Sequence, residues 1–167
     1  IRPLFPDGFL NETQIICLVI SHDQINNPDV ISITGASTAL MISDIPYNNP
    51  IAGARVGRKD DEFILNPSNK ELEDSELNLV MAGTQDGIVM VEAGANELSE
   101  EIMMDALEFG HEQIKIMIDL QLQLKEKICK EKMTFEVQEF DSELVNISDK
   151  KFRGPLSEAL RISGKHE

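Results

Sequence analysis

The chain has 167 residues and a mass of 18.7 kDa, with 15 Lys and Arg against 30 Asp and Glu, a formal net charge of −15. That length suits one ordinary domain with a small appendage, able to bury about two-thirds of its extended surface. Apolar residues at 41%, with 27% charged and 5% aromatic, exclude a disordered composition. No apolar run approaches the roughly 20 residues that cross a bilayer, so no membrane partner is predicted. Two cysteines, Cys17 and Cys129, are too few for a disulfide scaffold and read as reduced thiols of a cytoplasmic protein.

The acidity is local. Residues 1–59 sum to −1, residues 60–112 carry 15 acidic groups against Lys70 alone, and residues 113–167 balance at ten of each sign. A polyanion is repelled by such a stretch, so nucleic acid, if it binds, must approach from elsewhere.

In chain order, Phe5-Pro6-Asp7-Gly8 is a turn signal. Thr13 to Ile20 is rich in β-branched residues and predicts a strand buried on both faces, with Cys17 a core thiol. Asn27-Pro28-Asp29 then starts a helix, with Asn27 as N-cap and Pro28 at the first helical position. That helix is expected over 28–43, nearly uncharged and packed closely against other backbone around Gly35. Ala52 to Arg58 and Glu62 to Asn66 read as a hairpin, broken afterwards by Asn66-Pro67-Ser68-Asn69. Leu77 to Ala82 and Gly87 to Glu92 read as a second antiparallel pair. Ser99 caps a long helix to Ile128, striped by Met103, Leu107, Gly110, Ile114, Met117, Gln121 and Leu124. At about 1.5 Å per residue it spans on the order of 45 Å, and its C-terminal half is expected to act as a strut into a second unit. Residues 133–167 carry weaker signal, with Gly154-Pro155 separating two candidate helices. The fold class is α/β (α+β), with mostly antiparallel strands and two dominant helices.

Few residues point to chemistry. His22, His111 and His166 are far apart, and neither HExxH nor CxxC occurs, which argues against zinc. Gly83-Thr84-Gln85-Asp86-Gly87 joins two strands and reads as a hairpin turn rather than a phosphate loop. The N-terminus of the 28–43 helix can bind an anion, although Asp29 competes with one there. Arg55, Arg58 and Lys59 can touch phosphate, but beside Asp60-Asp61 a solvated hairpin is the favoured reading. Glu92, ending an apolar strand, needs a partner if buried, and His111-Glu112 is read as a structural pair before an acid–base couple. Carboxylates around Asp86 and Glu92 leave a metal-dependent enzyme as a minor alternative.

Several motifs, however, occur in the order seen in one family: Ile1-Arg2-Pro3-Leu4-Phe5-Pro6, Asn11-Glu12-Thr13-Gln14, Asn27-Pro28-Asp29, Gly35-Ala36-Ser37-Thr38-Ala39-Leu40, Ser43-Asp44-Ile45-Pro46, Arg55-Val56-Gly57, Asn66-Pro67, Ala82-Gly83-Thr84, Met90-Val91-Glu92 and Gly110-His111. In these the chain resembles the bacterial polynucleotide phosphorylase family. The resemblance implies an RNase PH-like core, truncated at its N-terminus, over 1–128, and the start of an all-helical linker over 129–167. Both chain ends are accordingly expected to be cuts through a longer polypeptide.

For the whole protein the resemblance implies a homotrimeric ring, working alone or in an RNA-degradation complex. It implies phosphorolysis of single-stranded RNA from its 3′ end to nucleoside diphosphates, with inorganic phosphate as co-substrate and Mg2+ or Mn2+ bound outside this segment. The chemistry of that family lies in its second core. Aligned with that core, this chain places the neighbourhood of Asn27 and Pro28 where phosphate-binding serines stand. It places Leu72 and Asn78 at the aspartate positions and Val80 at the lysine position. Leucine and valine neither coordinate metal nor transfer a proton. No catalytic, cofactor-binding or metal residue is therefore assigned, and Arg2 is the one residue suggested to lie near RNA. The alternative function is a stand-alone, non-catalytic RNase PH-like partner subunit acting as a scaffold. The reading frame on either side of these residues separates the two, because only the first continues into a core with those groups.

Overall fold

The computed structural model describes residues 1–137 and 141–164, so His166 lies outside the described residues. They form two compact units, one of Ile1–Pro6 with Asn11–Thr134 and one of Asp7–Leu10 with Phe135–Glu167.

The first unit is built on a four-stranded antiparallel sheet in the order β2-β1-β3-β4. Strands β1 (Ala52–Lys59) and β2 (Glu62–Leu65) form the expected hairpin. Asp60 and Asp61 turn it with φ of 51° and 67°, the left-handed pair that a two-residue hairpin loop requires and that Asp tolerates. Strands β3 (Leu77–Gly83) and β4 (Ile88–Ala95) form the second expected pair, closed by Thr84 N–H donating to Gly87 O at 2.8 Å. Helices α1 (Asp29–Ile42) and α3 (Glu100–Ile128) flank the sheet, and a short α2 (Asn69–Glu73) links β2 to β3.

Alternation along the strands decides what each face meets. Ala52, Ala54 and Val56 of β1 and Leu77, Leu79 and Met81 of β3 form one core with Ala106, Ile114 and Ile118 of α3. Gly110 lets α3 approach closely, since a Cβ there would enter the space held by Met81 and Val56. Where α1 and α3 meet, Ile51 is held from both sides: Ser37 Oγ accepts from its N–H at 2.9 Å, and Gln121 Nε2 donates to its carbonyl at 3.1 Å. A second cluster of Leu40, Met41 and Tyr47 is covered by Ile1, Leu4, Phe5 and Ile45.

Several expectations are corrected. Thr13 to Ile20 is not a buried strand; it forms no regular element and is largely exposed, with Leu18 at 79% and Ile20 at 96%, and Cys17 is exposed as well. Its β-branched residues favour a pleated surface, but a strand exists only against a partner, and none of the described strands pairs with it. A Cβ added at Gly35 would meet no other part of the chain within 4 Å, so the helix merely tolerates the glycine, and the close approach to backbone belongs to Gly53 instead. Pro28, not Asn27, is the cap residue of α1, although Asn27 Oδ1 accepts from Asp29 N–H at 3.2 Å. The stretch after β2 is not only a break. Ser68 and Glu71 make a capping box that starts α2, a signal legible as Ser-x-x-Glu. The long α3 lies wholly in the first unit.

In the second unit, α4 (Ser142–Ala159) runs straight through Gly154-Pro155, which does not separate two helices. Pro155 removes one helical hydrogen bond, and the exposure of α4 leaves water to satisfy the freed carbonyl. Asp141 Oδ1 caps its start by accepting from Glu143 N–H at 2.9 Å. Among the described residues no helix is long and apolar enough to cross a membrane.

Gly53→Ala is expected to destabilise the first unit by about 1–3 kcal/mol, because its Cβ would stand 2.9 Å from the Val30 carbonyl oxygen. Urea unfolding measures this; an unchanged midpoint would show that α1 yields freely there.

Candidate functional site

The face of the sheet away from α3 carries Gly53, Arg55, Asn78, Val80 and Glu92, because their neighbours fill the core. The register sets Arg55 opposite Val80, and Val80 opposite Glu92. The beginning of α1 comes down on this face at Gly53, whose N–H donates to Thr34 Oγ1 at 3.1 Å.

Arg55 is the centre of the arrangement. It is 7% exposed, and a buried guanidinium needs acceptors because it cannot lose its charge. Its Nη2 donates to Asp29 Oδ2 in the first turn of α1, and its Nη1 donates to Asn78 Oδ1 on β3. Its backbone is fixed by Asn66, whose N–H donates to Arg55 O at 2.7 Å and whose Oδ1 accepts from Arg55 N–H at 2.9 Å. Asn66 holds φ of 47° to do so, a conformation that Asn visits more readily than most residues. Beside the guanidinium lies a cavity of about 530 Å³, lined by residues including His22, Asp23, Asn27, Arg55 and Asn66. Asp23 organises the loop along its wall, accepting from Ile25 N–H at 2.8 Å and from Asn26 N–H at 2.9 Å. Backbone donors, Asn26 first and Ile25 next, hold its carboxyl down at about 2. His22 Nε2 lies 2.7 Å from the Asn26 carbonyl oxygen.

This chemistry is electrostatic and structural. Arg55 cannot act as a base, the Asn78 amide is neither acid nor base, and Val80 is hydrocarbon. Asn78 and Val80 lie two residues apart on one face of β3, while Leu72 sits half-buried in α2. Arg2 is exposed in the short turn Arg2–Leu4, on the segment that covers the Tyr47 cluster.

The remaining candidates are partnered or exposed. Arg58 pairs with Asp61 and Glu76, and Lys59 with Asp74 at 2.9 Å, so the basic hairpin is internally neutralised. His111 Nε2 lies 2.9 Å from the Thr84 carbonyl oxygen, and Glu112 pairs with Lys115 at 2.7 Å rather than with His111. Glu92 is exposed, as are all the acidic residues of 60–112. Among the described residues no group of three or more His, Cys, Asp or Glu converges to hold a metal ion. The Asp29–Arg55–Asn78 set escaped the sequence reading. Its members are 26 and 23 residues apart, and no local pattern links a helix start to two strands.

Asp29→Ala is expected to cost about 1–3 kcal/mol, since it leaves a buried guanidinium short of an acceptor. Combined with Arg55→Met, the double variant should lose less than the sum of the two; additivity within about 0.5 kcal/mol in a double-mutant cycle would dissolve the pair. An NMR titration should find Asp23 ionised until pH falls to about 2. Its depressed value means that its loop contacts persist above the ordinary Asp range and are lost as pH falls through that value. A normal Asp titration would show that the loop bonds do not form.

Residues 49–113, from the end of the α1–β1 loop into α3, match the second domain of the 3′ exoribonuclease family. The polyribonucleotide nucleotidyltransferase of Bacillus subtilis is 48% identical over 166 residues, 99% of this chain and 24% of the relative. That of Persephonella marina is 45% identical over 167 residues, 100% of the chain and 24% of the relative. That of Anoxybacillus flavithermus is 51% identical over 144 residues, 86% and 20% respectively. The chain thus spans 24% or less of the length of these curated relatives. Over essentially its whole length it matches one segment of the bacterial polyribonucleotide nucleotidyltransferases, and within that segment residues 49–113 match the second domain of the 3′ exoribonuclease family.

Proposed function

We propose that the chain acts as the non-catalytic core of a 3′-to-5′ exoribonuclease that degrades single-stranded RNA by phosphorolysis. In that reaction inorganic phosphate attacks the terminal phosphodiester and releases a nucleoside diphosphate. The observation that carries the reading is the occupancy of the sheet face beneath α1. There both terminal nitrogens of Arg55 donate to groups of the chain itself, Asp29 and Asn78, and Val80 adds hydrocarbon. A phosphoryl-transfer site needs charge aimed at the substrate and a group that moves a proton. Here the only buried cation among the described residues is turned toward the protein's own carboxylate and amide.

A divalent metal of the kind such an enzyme uses does not fit these residues. The Leu72 and Val80 side chains offer no oxygen, and the Asn78 side-chain oxygen already accepts from Arg55. Mg2+ or Mn2+ is therefore assigned to another part of the longer protein, together with the catalytic groups. The role left to this segment is scaffold: it builds the ring of a homotrimer and positions RNA, with Arg2 near the strand. The exposed acidic residues of 60–112 support this placement, since RNA is repelled from such a surface and must run along another. The division of the chain into an RNase PH-like part over 1–128 and a helical linker from 129 belongs to the same reading.

The purified chain, incubated with poly(A), phosphate and Mg2+, is expected to release no nucleoside diphosphate. Sustained phosphate-dependent release, in a preparation free of full-length subunits, would overturn the assignment.

A further inference from the structure

The C-terminal end of α1 is finished by a segment far away in sequence. An α-helix leaves its last carbonyls without intrahelical donors, and its C-terminus carries partial negative charge. The last turn of α1 contains no basic residue to answer that charge. The chain from 129 to 133 answers it instead. Lys132 Nζ donates to Leu40 O at 3.0 Å, to Met41 O at 2.9 Å and to Ser43 O at 2.7 Å. On either side, Lys130 N–H donates to Ile42 O at 3.1 Å and Met133 N–H donates to Asp44 O at 2.7 Å. Cys129 Sγ lies 3.3 Å from Met41 O. The five carbonyls from Leu40 to Asp44 are thereby met by Cys129, Lys130, Lys132 and Met133, with a single ammonium spanning three of them.

We infer that the carbonyls at the end of α1 form a cradle for a primary ammonium, which the chain fills with its own Lys132, and that this ammonium latches residues 129–133 onto α1. Three short donor–acceptor distances match the three N–H bonds of an ammonium, so its donor capacity is fully used. Burial disfavours the charged form of Lys132; the carbonyls supply the compensation. The neighbouring bonds from Lys130 and Met133 are single backbone contacts and depend on the segment being held in place. Neutralising the amine therefore releases the segment while the sheet and α3 keep their packing.

The test uses the whole chain and amide hydrogen exchange. Lys132→Met keeps most of the aliphatic stem and removes the charge. Exchange at the Lys130 and Met133 amides is expected to accelerate by about ten-fold or more, while the Ile51 amide, held by Ser37, stays near the wild-type rate. In Lys132→Ala, which opens space for a small cation, methylammonium should restore protection and tetramethylammonium, lacking N–H donors, should not. Wild-type protection of both amides in Lys132→Met would overturn the latch, and equal rescue by the two salts would overturn the cradle. If Lys132→Ala does not fold unaided, the same comparison is read as recovery of its helical circular dichroism.

Discussion

A guanidinium almost removed from water governs the sheet face beneath α1. Arg55 cannot shed its proton, so burial obliges the surrounding chain to bring acceptors to it. Asp29 comes from the first turn of α1 and Asn78 from β3, while Asn66 pins the backbone of β1 behind it. One side chain thus ties a helix start, two strands and a loop into one geometry. The close approach of α1 at Gly53 follows on the same face, because nothing larger than hydrogen fits between β1 and the Val30 carbonyl.

The two ends of α1 are treated with opposite electrostatics. At the N-terminus Asp29 stands where the helix dipole favours an anion, and that carboxylate also serves Arg55. At the C-terminus the chain brings Lys132, a cation where the dipole favours one. A helix whose one charged residue is Asp29 at its start therefore takes its C-terminal cation from another part of the chain. Its position depends on the sheet at one end and on the segment after α3 at the other.

The surface sorts into regions of different character. The carboxylates of β2, α2, β4 and the exposed side of α3 are all in water. Arg58 and Lys59 are drawn into pairs with Asp61, Glu76 and Asp74, which leaves the hairpin no free cation for a phosphate. Apolar residues stay exposed along residues 13–20 and along β4, where Val89 is 42% and Val91 49% exposed. An open strand edge with exposed apolar side chains is a surface that pairing with another strand would bury.

What the sequence by itself determined is the local structure. Both hairpins, the start of α3 at Ser99 and the faces of β3 follow from turn chemistry, capping and periodicity, each encoded within a few residues. The Ser68–Glu71 capping box was equally legible, although the Pro and Asn residues around it read first as a break. The tertiary structure alone decided whether a β-prone run became a strand, because Thr13 to Ile20 has the right residues and no neighbour to pair with. It alone joined Asp29, Arg55 and Asn78, and brought Lys132 to the end of α1. Those contacts satisfy charges and carbonyls across long stretches of chain, and a need for a partner does not say in the sequence which residue will meet it.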